Sequence, residues 1–131
     1  MFMRKRKIQA KEADPDPESL LPLTPAMFEI LVALADGERH GYAIMQEVEA
    51  RTESKMRLGP GTLYRSIQRL MEDGLITESD ERPVMEMDDE RRRYYRITDF
   101  GYRVAVAEAK RLAELVAMAQ AKKLLPKPRA R

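Results

Sequence analysis

The sequence has no cysteine, no tryptophan and a single histidine. Without cysteine there are no disulfides and no thiolate metal ligands, which fits a cytoplasmic protein. No metal-ligand spacing and no nucleophile motif around a serine accompany that histidine, so the chain does not read as an enzyme. No catalytic residue, metal site or cofactor is assigned. The acids Glu86, Asp88, Asp89 and Glu90 lack the glycine of a calcium loop and read as a solvated loop. No apolar run approaches the roughly 18 residues a membrane span needs, so no membrane partner is expected. The leader MFMRKRKIQAKEADPDPESL carries charge without an apolar stretch behind it and is not a secretory signal.

Charge is abundant instead, at 35% of 131 residues, with a net value of only +2. It is unevenly placed. Arg4, Lys5, Arg6, Lys7 and Lys11 open the chain without an acid among them. Lys122, Lys123, Lys127, Arg129 and Arg131 close it in the same way. Arg91, Arg92, Arg93 and Arg96 form an internal cluster. Basic ends also serve simply to solvate a terminus. An internal cluster is a stronger sign of a polyanionic partner.

The pattern of apolar residues gives an element order. Residues 1–19 read as a disordered basic arm, because Asp14-Pro15-Asp16-Pro17 interrupts any helix. Thr24-Pro25 starts a helix over about 24–35, with Met27, Ile30, Leu31 and Leu34 on one face and Gly37 as its stop. A second helix runs from His40 or Gly41 to about Thr52, with a stripe of Tyr42, Met45 and Val48 and with Ile44 beside it. A third starts near Pro60, buries Leu63, Ile67, Leu70 and Met71, and ends at Gly74. Residues 75–78 are extended, an acidic connection follows, and 91–98 form a second strand. A last helix starts at Thr98 or Asp99 and runs to about Leu125, before Pro126 and Pro128. The fold class is mainly α with a small β-hairpin, a winged helix-turn-helix plus a long C-terminal helix. The winged domain spans 20–98, the C-terminal helix 99–125 and a basic tail 126–131.

The third helix carries an open face suited to the DNA major groove. Arg65, Gln68 and Arg69 can reach base edges, arginine for guanine and glutamine for adenine. Thr62 lies near the helix start, where such contacts concentrate. Tyr64 and Ser66 flank the face. Lys55 and Arg57 precede it, and Arg91, Arg92 and Arg93 add cations from the hairpin. His40, at a helix start, suits a cap or a phosphate contact. Most of Tyr42, Tyr94, Tyr95 and Tyr102 are expected to pack in the core. The stripe Phe100, Val104, Ala107, Leu112, Leu115, Val116 and Ala119 extends about 28 Å at 1.5 Å per residue. That is more than a small domain can cover, so it is assigned to dimerisation.

Three stretches, HGYAIMQEVEART, LGPGTLYRSIQRLMEDGLI and RRRYYRITDFG, together resemble the PadR family of bacterial transcriptional regulators. With the first helix they cover roughly residues 24–105. The resemblance implies a homodimer that binds double-stranded operator DNA, near-palindromic in sequence, and usually represses transcription. Some members release DNA on binding a small phenolic or drug-like effector. With no tryptophan, a pocket of stacked indoles is not available here. The basic N-terminal arm goes beyond the family core. The competing reading is a winged-helix protein-interaction module without specific DNA binding. The Arg and Gln face of the third helix argues against it.

Overall fold

A computed structural model describes residues 15–79 and 93–126. Ordered structure begins before the expected Leu20. Asp16 accepts the Glu18 N–H and opens a 3-10 turn, Pro17–Leu20, which packs against the last helix. The prolines that exclude a long helix here are compatible with one short turn, since proline fits a first helical position. Helix α1 spans Pro25–Leu34; Thr24 Oγ1 accepts the Met27 N–H at 3.1 Å, and Met27, Ile30, Leu31 and Leu34 are buried as the spacing predicts.

The chain then makes a strand that the sequence pattern did not reveal. β1 is only Arg39–His40. Two residues carry no periodicity, and their pairing to a distant strand alone defines them. Helix α2 follows over Gly41–Arg51 and helix α3 over Pro60–Glu72. The hairpin strands are β2, Ile76–Glu78, and β3, Tyr94–Ile97, and the last helix, α4, is Asp99–Ala121. The sheet order is β1-β3-β2, antiparallel throughout, with Arg39 opposite Tyr95 and Thr77 opposite Arg96. The architecture is therefore mostly helical with a small sheet, a winged helix.

The core collects Ile30, Leu31 and Leu34 of α1, Ile44 and Val48 of α2, and Leu63, Ile67 and Leu70 of α3. Leu75, Tyr95, Phe100 and Val104 close it from the hairpin side. On α2 the buried positions are Gly41, Ile44 and Val48, so the expected stripe is rotated. That rotation turns Tyr42 outward. Met71 likewise sits at the exposed edge of α3.

Three helices end with the same backbone device, in which the chain turns left-handed and an N–H reaches back to a carbonyl five residues earlier. Gly74 takes φ 78° after α3, and Leu75 N–H donates to Leu70 O at 2.9 Å. Glu53 and Ser54 turn the chain after α2, with Ser54 N–H on Glu49 O at 2.8 Å. Lys123 does so after α4, where Leu124 N–H meets Ala119 O at 2.8 Å. That turn ends α4 at Ala121, short of the expected Leu125. Between α2 and α3 the Thr52 hydroxyl donates to Val48 O at 2.8 Å and accepts the Met56 N–H at 3.1 Å, which pins the connecting turn.

Candidate nucleic-acid interface

Burying Leu63, Ile67 and Leu70 leaves the opposite side of α3 to solvent. Thr62, Arg65, Gln68 and Arg69 are all exposed there. Gly59 is the N-cap and offers no side-chain acceptor, and Pro60 has no N–H to satisfy. The amides of Gly61 and Thr62, in an exposed first turn, thus point out along the helix axis at its positive end.

The side chains of this face differ in their engagements. Arg65 has no ion-pair partner among the described residues, and neither has Lys55. Arg69 Nε lies 3.3 Å from Asp73, one turn on, and Gln68 is 3.5 Å from Glu72. Arg57 Nε lies 3.7 Å from Glu49. Exposed pairs of this kind contribute little and exchange readily for a phosphate.

Packing claims the flanking residues. A Cβ on Gly41 would collide with the Tyr64 hydroxyl, so Gly41 and Tyr64 form the close contact between α2 and α3. Tyr64 and Ser66 are half-buried. His40 acts as the cap of α2, its Nδ1 accepting the Ala43 N–H at 3.2 Å, and its ring meets Tyr94 edge-on at 5.3 Å. Arg93 is exposed at the start of β3, 3.3 Å from Glu78. Arg91, Arg92 and the acidic connection lie outside the described residues. Tyr95 is buried, and burial, then the Glu78 carboxylate, pushes its phenol up. Of the tyrosines expected in the core, Tyr102 is 51% exposed on α4, and a second one at the surface is Tyr42. It is 55% exposed in the first turn of α2. Its apolar character suggested the core, and only the rotation of α2 sends it to the surface.

Helix α4 divides the expected dimer stripe in two. Phe100 and Val104 are core residues of their own domain, 6% and 0% exposed, because α4 packs across α1. They are not free to meet a partner. Ala107, Leu112 and Ala119 are half-buried, while Leu115 and Val116 stand out at 56% and 45%. Met118, Leu124 and Leu125 extend this uncovered end. Glu108, between the two parts, is buried at 2% exposure. Its carboxylate accepts the Leu23 N–H at 3.3 Å and two N–H groups of Arg111.

Residues 30–107 match the PadR-like family of transcriptional regulators. The chain belongs to that family. It is 41% identical over 88 residues to transcriptional regulator Rv3488 of Mycobacterium tuberculosis, covering 67% of this chain and 75% of that one. Two solved structures share the fold. A PadR-like transcription factor of Bacteroides fragilis gives a TM-score of 0.59 at 22% identity, covering 72% of this chain and 86% of its own. A PadR family regulator of Clostridium difficile gives 0.58 at 23% identity, covering 76% and 98%. The protein is thus a transcriptional regulator and not an enzyme. Among the described residues no helix is long and apolar enough to cross a membrane.

Proposed function

We propose that the protein is a homodimeric, sequence-specific DNA-binding repressor acting on a near-palindromic operator in the cytoplasm. The observation that carries this reading is the exposed face of α3, where Arg65 has no ion-pair partner among the described residues and Thr62 and Gln68 stand beside it. A helix inserted in the major groove needs such a face, with donors for base edges next to cations for phosphates. Lys55 and Arg57 precede α3 in the chain and Arg93 precedes β3 as further exposed cations, and Tyr42 offers a hydroxyl to the phosphate backbone at the start of α2. The uncovered end of α4, with Leu115, Val116 and Met118, is the surface for a second copy. A two-fold pair would set its recognition helices about 34 Å apart, one turn of DNA.

The candidate place for a small effector is a surface cleft beside α4. A cleft of about 420 Å³ lies between the N-terminal turn and α4, lined by Leu21, Pro22, Ala107, Lys110 and Arg111. That size falls in the range of small-molecule sites.

The experiment is fluorescence anisotropy with the DNA upstream of the protein's own gene, at two salt concentrations, with an unrelated duplex as control. Specific, salt-sensitive binding of two chains per site is expected. Equal binding to both duplexes would reduce the interaction to general phosphate attraction. No binding at low salt would leave a protein-interaction module.

A further inference from the structure

We infer that Thr98 is a positioning residue that sets the half-site spacing the dimer accepts; the inference rests on the dimeric DNA-binding reading above. The recognition helix α3 and helix α4 are separated in sequence by the whole hairpin. One hydroxyl bonds both the turn after α3 and the first turn of α4. Thr98 Oγ1 donates to the Gly74 carbonyl at 2.7 Å, with the Leu75 carbonyl 3.1 Å away as a second acceptor. The same oxygen accepts the Gly101 N–H at 2.9 Å and so caps α4. The Thr98 backbone N–H adds a bond to the Leu75 carbonyl at 3.0 Å. One side chain therefore holds the turn that follows α3 and caps α4.

The junction has little slack. Gly101 is buried against the Leu75 carbonyl, with no room for a Cβ. Leu75 is itself fully buried, and Gly74 is held in the left-handed turn that ends α3. Among capping residues, only a hydroxyl donates and accepts through one atom. An aspartate would keep the cap on Gly101 but has no proton for the Gly74 carbonyl.

The consequence comes from leverage. Helix α4 has 23 residues, about 35 Å at 1.5 Å per residue. The surface offered to a second copy lies at its far end, and the recognition helix joins at its near end. A tilt of about 10° at the junction moves the Leu115–Met118 surface, about 24–29 Å along the helix, by roughly 4–5 Å, more than one base-pair step of about 3.4 Å. A palindromic operator would register that tilt as the wrong spacing. A single half-site would not register it.

The test uses the full chain and duplexes in which base pairs are inserted or removed between two half-sites, alongside a duplex with one half-site. Thr98→Val removes both links through the hydroxyl, Thr98→Asp removes only the donation, and Thr98→Ser restores both. Circular dichroism checks folding, and Thr98→Asp retains the cap should Thr98→Val fail to fold. On the best-spaced duplex, Thr98→Val and Thr98→Asp are expected to lose roughly three- to tenfold in affinity. Their spacing profiles should flatten, their half-site affinity should hold, and Thr98→Ser should match the parent. An unchanged spacing profile in Thr98→Asp overturns the inference, as does an equal loss on the half-site duplex. Absence of specific binding by the unmodified protein overturns the DNA-binding reading itself.

Discussion

Arg111 grips the buried carboxylate of Glu108 with two nitrogens, Nε at 2.7 Å and Nη2 at 3.0 Å. The pair sits one turn apart on α4, and Glu108 also receives the Leu23 N–H from the segment that leads into α1. Helix α4 is thereby tied to the start of the domain midway along its length. The two residues read as ordinary charges on a helix until the fold brings Leu23 beside them.

Glu108 predicts an acid-sensitive contribution to stability. The hydrogen bonds from Arg111, with help from Leu23, hold its carboxyl below the usual carboxylate range despite burial. A group lowered in the folded state stabilises fully above its unfolded pKa and loses that contribution as pH falls through the folded value. Glu108→Gln should therefore melt at a lower temperature than the parent at neutral pH. The difference should shrink as pH falls below about 4, under the range of an unperturbed glutamate. Melting curves across pH check this; a constant difference would mean that ionisation of Glu108 contributes nothing.

Arg65→Ala should weaken specific operator binding by about 1–3 kcal/mol if Arg65 reads a base. Lys55→Ala should weaken specific and unrelated duplexes alike and flatten the salt dependence. Anisotropy titrations of both variants on both duplexes separate the two roles. If Arg65→Ala left operator affinity intact, α3 would not be the reading element.

Tyr42→Phe keeps the ring and removes the hydroxyl. Under the phosphate-contact reading it should lower affinity by about 0.5–1.5 kcal/mol without altering the preference among sequences. A competition assay across operator variants measures both effects. An altered preference would place Tyr42 at a base instead.

The uncovered end of α4 is tested by Leu115→Glu combined with Met118→Glu. Both side chains are exposed in the single chain, so its folding should be nearly unaffected, within about 0.5 kcal/mol. Sedimentation should show the parent as a dimer and the double variant as a monomer. A dimer that survives both charges would place the contact elsewhere.

Two glycines should respond unequally to alanine. At Gly101 the new Cβ meets the Leu75 backbone, which cannot move without shifting β2. At Gly41 it meets the outer end of Tyr64, a half-buried side chain that can swing aside. Gly101→Ala should cost about 1–3 kcal/mol and Gly41→Ala less, by denaturant titration. The reverse order would contradict the packing described at both sites.

Local interactions alone determined much of this protein. Thr24 and Thr98 cap their helices and Gly74 ends α3 through contacts within a few residues along the chain, and the spacing of Leu63, Ile67 and Leu70 sets them on one face of their helix. Such features are legible because helix periodicity and capping are short-range. The exposed face of α3 follows directly, since burying one side exposes the other. What only the tertiary structure decided depends on partners distant in sequence. Strand β1 exists because Arg39 and His40 pair with Tyr95 and Tyr94. Tyr42 is outside because Gly41 must approach Tyr64. Phe100 and Val104 belong to the core and not to a dimer face because α4 crosses α1 before it leaves the domain. An apolar stripe states that a face will be covered, and the path of the chain in three dimensions decides what covers it.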